Sequence, residues 1–235
     1  MSKKRILILA TGDKKGGGSG AQEMKEYSLT DPPGLDADIV GFVSNHEFGG
    51  VSKHAKAFNP EVPFKFWDGP FNKEGYQRLV AEFNPDLVMC SGFLKKVVGI
   101  DPRIVLNIHP ALTPNDGTHG EFGGQGMYGR FVHEAVIKAF HEGRVTQSGI
   151  TIHFVVTGYD CGPVVWQKAV HIREDDTPKT LANRVNQVER AWQSDVVNLI
   201  INGLVRLIEI DEKLEVVADK SLKGFPGLMA TAWTG

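Results

Sequence analysis

Short apolar runs alternate along the chain with longer segments in which apolar residues recur every three or four positions. The short runs are typical of strands buried on both faces, and the longer segments are typical of amphipathic helices. The strands predicted from this pattern are 5–10, 37–43, 62–67, 86–90, 104–108, 149–156 and 163–172. The predicted helices are 19–27, 72–83, 132–141 and 177 to about 202.

This alternation predicts an α/β protein with a mainly parallel, twisted sheet and helices on both faces. The length of 235 residues suits one domain with a single core. Residues 1–207 are predicted to form that domain. Residues 208–235 are predicted to form a hairpin and an irregular tail packed on the same domain. Ligands of such a fold are expected beyond the carboxyl ends of the strands.

Composition narrows the possible partners and location of the protein. With 26 basic and 28 acidic residues the formal net charge is −2, which argues against a nucleic acid or an anionic membrane as partner. The first apolar run, Ile6 to Ala10, is too short for a secretory signal or a membrane span. Cys90 and Cys161 lack a metal-ligand spacing, so reduced thiols, a cytoplasmic location and no metal site are expected. The oligomeric state is left open.

Candidate chemistry lies at the ends of two predicted strands. Asn107 and His109 close one apolar run, and Asp160 follows another. An amide, an imidazole and a carboxylate brought together there could act on one reacting carbonyl group. Taken singly, each residue also fits an ordinary strand end or turn.

A glycine-rich segment, Thr11 to Gly20, joins the first predicted strand to the first predicted helix. Free backbone N–H groups and the helix dipole could hold a phosphate there, although the segment is neither a Walker motif nor a dinucleotide fingerprint. A flexible surface turn is the alternative interpretation.

The motifs around these residues resemble the folate-dependent formyltransferases over Arg5 to about Leu207. The resemblance rests on residues 107–112 (Asn-Ile-His-Pro-Ala-Leu), with 90–93 before them and 148–154 and 160–163 after them. Residues 126–129 and 132–135 are similar to a segment of one purine-biosynthesis branch of that family. The resemblance implies the Rossmann-like formyltransferase fold.

The activity implied is transfer of the formyl group of 10-formyltetrahydrofolate to the primary amine of 5-phosphoribosylglycinamide through a tetrahedral intermediate. Asn107 would donate to the developing oxyanion, and His109 would stabilise the same oxygen and move protons. Asp160 would favour the imidazolium and order a water molecule. Three other functions stay open: a hydrolase of the same folate, transfer to a different amine, and a noncatalytic nucleotide-binding module.

The resemblance also implies binding residues for the two substrates. The folate would contact Lys73, Leu94, Lys95, Lys96, Val97, Asn107, Val156, Thr157, Gly158, Tyr159 and Asp160. The 5-phosphoribosylglycinamide would contact Gly18, Ser19, Gly20, Asn186 and Glu189. Lys73 also fits an exposed lysine at a helix start, and Glu189 an ordinary surface glutamate.

Two segments depart from the family pattern. About four residues are inserted around Asp13 to Gly16, and Gly20 stands where many members have asparagine. The segment Asn115 to Gly123 is longer than usual and is interpreted as a mobile lid or a surface insertion. The nearby histidines are interpreted as structural or peripheral, namely His119, His133 and His153.

Overall fold

The structure, a computed structural model, describes residues 2–14 and 16–235. Within them the strands are β1 (Lys4–Leu9), β2 (Ala37–Ser44), β3 (Phe64–Phe66), β4 (Leu87–Ser91), β5 (Val105–His109), β6 (Gln147–Phe154), β7 (Val164–His171), β8 (Val205–Ile210), β9 (Lys213–Asp219) and β10 (Ala232–Thr234). The α-helices are α1 (Ser19–Ser28), α2 (Gly50–Lys56), α3 (Lys73–Phe83), α4 (Arg130–His141) and α5 (Pro178–Ile201). Two short 3₁₀ helices cover Pro102–Ile104 and Lys220–Leu222.

Seven strands form one sheet in the order β3-β2-β1-β4-β5-β6-β7, and β10-β9-β8 form a second. The pairs β1–β2, β1–β4 and β2–β3 are parallel, whereas β6 and β7 are antiparallel. The predicted α/β class with a mainly parallel sheet is confirmed. The fold prediction succeeded because a strand buried on both faces leaves a continuous apolar run in the sequence.

The described residues divide into two compact units. The first contains the described residues up to 106 together with 194–201, and the second contains 107–193 and 202–235. In the first unit, residues 6–9 of β1 are completely buried. Helix α1 contributes the buried side chains of Ala21 and Met24, as its predicted amphipathic pattern requires.

The start of α2 packs tightly against the glycine-rich segment of the first unit. A Cβ atom added to Gly50 would lie only 2.1 Å from the carbonyl oxygen of Gly17. The Gly50 N–H donates to the Asp13 carbonyl over 3.2 Å. The sequence pattern did not predict α2, because its seven residues include only two buried apolar side chains, Val51 and Ala55.

The C-terminal residues of the second unit are more regular than predicted. The β8–β9 hairpin turns at Asp211 and Glu212, whose positive φ angles of 48° and 63° match a type I′ turn. The tail interpreted as irregular contains β10, which pairs in parallel with β9. In the part of the tail that precedes β10, the Pro226 carbonyl accepts from the indole N–H of Trp166 over 2.8 Å, which fixes the tail beside β7.

Helix α5 has 24 residues, but within residues 2–14 and 16–235 no helix combines the length and apolar character of a membrane span.

The beginning of α5 is held by Asp176, a buried carboxylate. Asp176 accepts hydrogen bonds from Arg184 Nη1 over 2.6 Å, Thr180 Oγ1 over 2.8 Å and the Arg173 N–H over 2.8 Å. The Arg184 guanidinium above all, with the Arg173 and Thr180 donors, holds the pKa of Asp176 well below its usual range despite burial.

Because the pKa of Asp176 is lower in the folded state, its stabilisation is present above pH 4 and is lost as the pH falls further. We expect Asp176→Asn to lower the free energy of unfolding at pH 7 by about 2 to 3 kcal/mol. The variant's deficit should be smaller at pH 3, and urea denaturation at both values measures it. The matched control is Asp175→Asn at an exposed neighbour, which should change stability by less than about 0.5 kcal/mol. An equal deficit at pH 3 and pH 7 would contradict the assignment.

Candidate active site

The end of β5 in the second unit presents two polar side chains on one face. Side chains alternate along a strand, so Asn107 and His109 point to the same side, while Ile108 points to the other. His109 is buried, with 3% of its surface exposed. Asp160 lies in the loop between β6 and β7, in a left-handed conformation with φ of 50°. An aspartate tolerates that conformation better than most residues.

The structure brings Asn107, His109 and Asp160 together. Asn107 Nδ2 donates to Asp160 Oδ1 over 3.1 Å, and His109 Nδ1 lies 3.5 Å from Asp160 Oδ2. The Asp160 side chain is only 10% exposed. The three groups therefore form one cluster at the carboxyl end of a strand, where chemistry is expected in such folds.

A fourth side chain, His153 of β6, completes this cluster. Its Nδ1–H donates to the Phe154 carbonyl over 2.9 Å, so Nε2 carries the lone pair that accepts from Asn107 Nδ2 over 3.1 Å. The interpretation of His153 as structural or peripheral is therefore incomplete. The sequence did contain a signal for this role. His153 lies two residues after Thr151, so both side chains are on one face of β6, and His153 is near the end of that strand.

Residues 121–124, which we call the covering segment, contact the same cluster through their backbone. The Phe122 carbonyl accepts from His109 Nε2 over 2.6 Å, and the Gly124 N–H donates to Asp160 Oδ2 over 3.0 Å. A Cβ atom on Gly123 would lie 3.2 Å from Asp160 Cβ and 2.5 Å from the His119 carbonyl oxygen, so glycine permits this approach. The long segment that ends here is thus more than a surface insertion.

These contacts indicate which nitrogen atoms of the cluster carry protons. Both N–H groups of Asn107 are donated to protein acceptors, one to Asp160 and one to His153. Because His109 Nε2 faces a carbonyl oxygen, it carries the proton, and Nδ1 faces the Asp160 carboxylate. A protonated His109 would satisfy both neighbours, whereas a neutral ring leaves its Nδ1 lone pair toward a negative charge.

Burial and charge act in opposite directions on this cluster. Burial lowers the pKa of His109 below its usual value, although the charge of Asp160 and the Phe122 carbonyl act against it. Burial raises the pKa of Asp160, but His153, the charge of His109 and the Gly124 N–H together bring it below its usual value. At neutral pH the cluster therefore holds an ionised Asp160 beside a neutral His109.

His133 of α4 belongs to the electrostatic surroundings of the cluster. Burial, with a smaller contribution from His109, lowers the pKa of His133 to about 4. Its Nδ1 atom is buried without a hydrogen-bond partner among the residues that the structure describes. His133 is therefore neutral at neutral pH. His119, by contrast, is exposed and its Nδ1 atom bonds the Gly120 carbonyl.

The other residues predicted for the folate lie partly in the first unit and partly in the second. In the first unit, Thr11 Oγ1 accepts from the Leu94 N–H over 2.9 Å, and the Tyr76 hydroxyl donates to the Lys96 carbonyl over 2.9 Å. Lys73 is the exposed first residue of α3. In the second unit, residues 156–159 form the loop directly before Asp160. Their role in binding stays a prediction.

The residues predicted for the phosphorylated acceptor are also divided between the units. Gly18, with φ of 83°, precedes α1, and Ser19 and Gly20 are its first residues. Asn186 and Glu189 lie on α5 in the second unit. Their roles in binding likewise stay predictions. Among the described residues, no group of three or more His, Cys, Asp and Glu side chains is arranged to hold a metal ion.

Comparison with known proteins decides the family. A sequence profile described as formyl transferase matches residues 4–197. The chain is 34% identical over 214 residues to the chloroplastic phosphoribosylglycinamide formyltransferase of Arabidopsis thaliana, covering 87% of this chain and 68% of that one. The chain belongs to the formyl transferase family.

Two further matches show how far the similarity extends within this family. The chain is 31% identical to the trifunctional purine biosynthetic protein adenosine-3 of Bos taurus, covering 88% of this chain but only 19% of that protein. The crystal structure of phosphoribosylglycinamide formyltransferase from Bacillus halodurans superposes with a TM-score of 0.67 at 25% identity. That superposition covers 85% of this chain and 96% of the other.

In this formyl transferase, His153 holds the amide of Asn107, and we expect its replacement to disturb catalysis more than folding. The variant His153→Phe leaves Asn107 without one acceptor. We expect kcat for formyl transfer to fall about 10-fold to 100-fold with little change in KM, because small displacements of reacting groups are costly. The side-chain amide resonances of Asn107 should shift in the same variant.

The matched control for this prediction is His141→Phe at the exposed end of α4. The control should leave kcat and the Asn107 resonances unchanged. If His153→Phe keeps the kcat of the unmodified protein, the positioning role of His153 is wrong.

Proposed function

We propose that this formyl transferase moves the formyl group of 10-formyltetrahydrofolate to the primary amine of 5-phosphoribosylglycinamide, as a step of de novo purine biosynthesis. The names of its relatives support this assignment. The observation that carries it is the buried Asp160 carboxylate, which accepts from Asn107 and Gly124 and faces His109. This cluster supplies donors and a proton path, which acyl transfer requires.

In the proposed reaction the amine nitrogen forms a bond to the formyl carbon, and the bond between that carbon and the folate nitrogen breaks. One proton passes from the amine to the folate nitrogen, so the reaction neither consumes nor releases protons. The formyl oxygen gains negative charge in the tetrahedral intermediate. No covalent bond to the protein is formed.

The charge on the oxygen calls for hydrogen-bond donors that are already in place. Asn107 supplies one by exchanging an N–H···O contact with Asp160 for one with the oxyanion. His109 supplies the second when it takes up a proton, because the imidazolium is stabilised by Asp160 and Phe122. Asp160, ionised at neutral pH, stabilises that imidazolium and orders a water molecule for proton transfer.

The proposed substrate-binding residues are those that the resemblance to the formyltransferase family implies. Residues 94–97, 156–159 and Lys73 contact the folate. The N-terminus of α1 with Gly18, Ser19 and Gly20 binds the phosphate, since unpaired backbone N–H groups favour anions. Asn186 contacts the ribose, and Glu189 orients the attacking amine. The partners are these small molecules, without nucleic acid or membrane, and the proposed location is the cytoplasm.

We also propose a division of the chain into a catalytic domain and a C-terminal addition. Residues 1–207 act as the catalytic domain, and 208–235 pack on it as a C-terminal addition. Support for the addition comes from the second unit, where the Gln167 N–H donates to the Gly227 carbonyl over 2.9 Å and the Met229 N–H to the Val165 carbonyl over 2.9 Å.

Two alternatives would use the same cluster. A hydrolase would release formate from the folate without the acceptor, and a related transferase would use a different phosphoribosyl amine. The glycine-rich segment before α1 favours a phosphorylated acceptor over water. A noncatalytic module is disfavoured, since a buried carboxylate, two histidines and an amide gathered at a strand end are the arrangement expected of a reactive site.

A spectrophotometric assay of folate turnover, with each substrate omitted in turn, tests the proposal. We expect turnover only when 10-formyltetrahydrofolate and 5-phosphoribosylglycinamide are both present. Asp160→Asn should lower kcat by at least about 100-fold, because it removes the charge beside His109. His109→Ala should have a similar effect.

The control for the charge change is Asp116→Asn, at an exposed aspartate that accepts from the N–H and the hydroxyl of Thr118. It should retain full activity. Turnover of the folate without the amine would indicate the hydrolase. Turnover that survives both Asp160→Asn and His109→Ala would overturn the proposed site.

A further inference from the structure

We propose that residues 226–229, which we call the tail clasp, position Asp160 by holding β7 in an irregular pairing with β6. The tail clasp runs antiparallel to β7 beside Trp166, within the second unit, which also contains Asp160. It lies beyond residues 4–197, the part of the chain that the formyl transferase profile matches. This role of the tail clasp rests on the function proposed for Asp160 in formyl transfer.

Strand β7 carries one extra residue where it faces the end of β6. Trp166 lies opposite Ile152. The next pair joins Val164 to His153, so Val165 is the extra residue. Such a bulge leaves the backbone of the extra residue outside the ladder and turns the chain beyond it, and bulges are frequent beside active sites. Because Val165 is completely buried, its carbonyl oxygen needs a hydrogen-bond donor from another segment.

The tail clasp supplies that donor. The Met229 N–H donates to the Val165 carbonyl over 2.9 Å, and the Gly227 carbonyl accepts from the Gln167 N–H over 2.9 Å. These two bonds lie on either side of Trp166, so the backbone of β7 is held directly at the bulge. Loss of the Met229 bond would leave a buried carbonyl group without its partner, which costs free energy and favours a regular pairing of the strands.

Hydrogen bonds also hold the chain between the bulge and Asp160. The Val164 N–H donates to Asn115 Oδ1 over 2.9 Å, and the Pro163 carbonyl accepts from the Phe154 N–H over 3.0 Å. Asp160 lies only three residues before Pro163. A slip of β7 by one residue would therefore move the loop that carries Asp160.

Both ends of the tail clasp are anchored within the second unit. Before it, the Phe225 ring packs edge-on against Trp192 with ring centroids 5.9 Å apart, and Trp192 stacks on Trp166. After it, the Thr231 N–H donates to the Val216 carbonyl over 2.8 Å. A segment that is held at both ends restrains the strand beside it, so the tail clasp stabilises the bulge.

The test uses Gly227→Ala in the full-length protein. Gly227 has a φ of 84°, and a Cβ atom there would lie 2.2 Å from the Gln167 carbonyl oxygen, so the variant displaces the tail clasp from β7. We expect kcat for formyl transfer to fall about 3-fold to 30-fold with KM changed less than about twofold, because displaced catalytic groups lower the rate. The carboxyl resonance of Asp160 should shift, and its pKa should rise as its hydrogen bonds lengthen.

The matched control is Gly224→Ala in the same tail. Gly224 has a similar φ of 93°, but a Cβ atom there would meet no atom of the described residues within 4 Å. The backbone strain is therefore alike, whereas the tail clasp stays in place. This control should leave kcat and the Asp160 titration unchanged.

A second pair of variants changes one hydrogen bond. Met229→Pro removes the N–H that donates to the Val165 carbonyl, and we expect it to alter kcat and the Asp160 titration in the same direction as Gly227→Ala. Met229→Ala keeps that N–H and should behave like the unmodified protein.

The titration of Asp160 by NMR spectroscopy separates this inference from the proposed function. An Asp160 titration that is the same in Gly227→Ala, Met229→Pro and the unmodified protein would overturn the positioning role, whatever the activity. If the titration moves in both variants but the unmodified protein shows no formyl transfer, the proposed function is wrong and the positioning of Asp160 by the tail clasp is supported.

Discussion

Asp160 places a carboxylate where only 10% of its side chain reaches solvent, and the surrounding chain is arranged to satisfy that charge. An ionised group so placed is tolerated only with hydrogen bonds and opposite charge close by. Asn107 and the backbone of Gly124 provide the hydrogen bonds, and two histidine rings face the carboxylate. These partners come from three segments of the second unit, so the charge ties β5, β6 and the covering segment together.

The need to satisfy the Asp160 carboxylate also links the fold to the chemistry. A strand end brings Asn107 and His109 to one face without the need for a long loop, and the buried sheet around them lowers the local dielectric. Interactions of Asp160 with its neighbours are therefore stronger than they would be in water. The same burial disfavours a positive charge on His109 and so lowers the pKa of its ring. That property suits a group that must take up and release a proton during one reaction cycle.

The sequence was sufficient for the features that repeat along the chain. The sheet strands were predicted because apolar runs such as Ile6 to Leu9 are directly visible, and the clustering of Asn107, His109 and Asp160 followed from their positions at strand ends. The motifs shared with the formyl transferases added the substrates, which no spacing of residues could have identified.

Other features depend on contacts between distant residues and leave no local pattern. Helix α2 begins with a glycine that is needed for close packing, and the sequence pattern did not predict this helix. The covering segment acts through the carbonyl of Phe122 and the N–H of Gly124, and backbone groups are the same in every residue. His153 resembled any histidine in a buried strand until the structure showed Asn107 beside its ring.

The most direct test of this account is a titration of the Asp160 carboxyl and the His109 ring by NMR spectroscopy in the protein without ligands. We expect the pKa of Asp160 to lie below its usual value of 3.8 and the pKa of His109 to lie below 6.5. The Asp160 titration should move upward in His109→Ala, since the charge of His109, which lowers the pKa of Asp160, is then lost. A carboxyl group that titrates above 3.8 in the unmodified protein would contradict the ionised, hydrogen-bonded Asp160 on which the proposed mechanism depends.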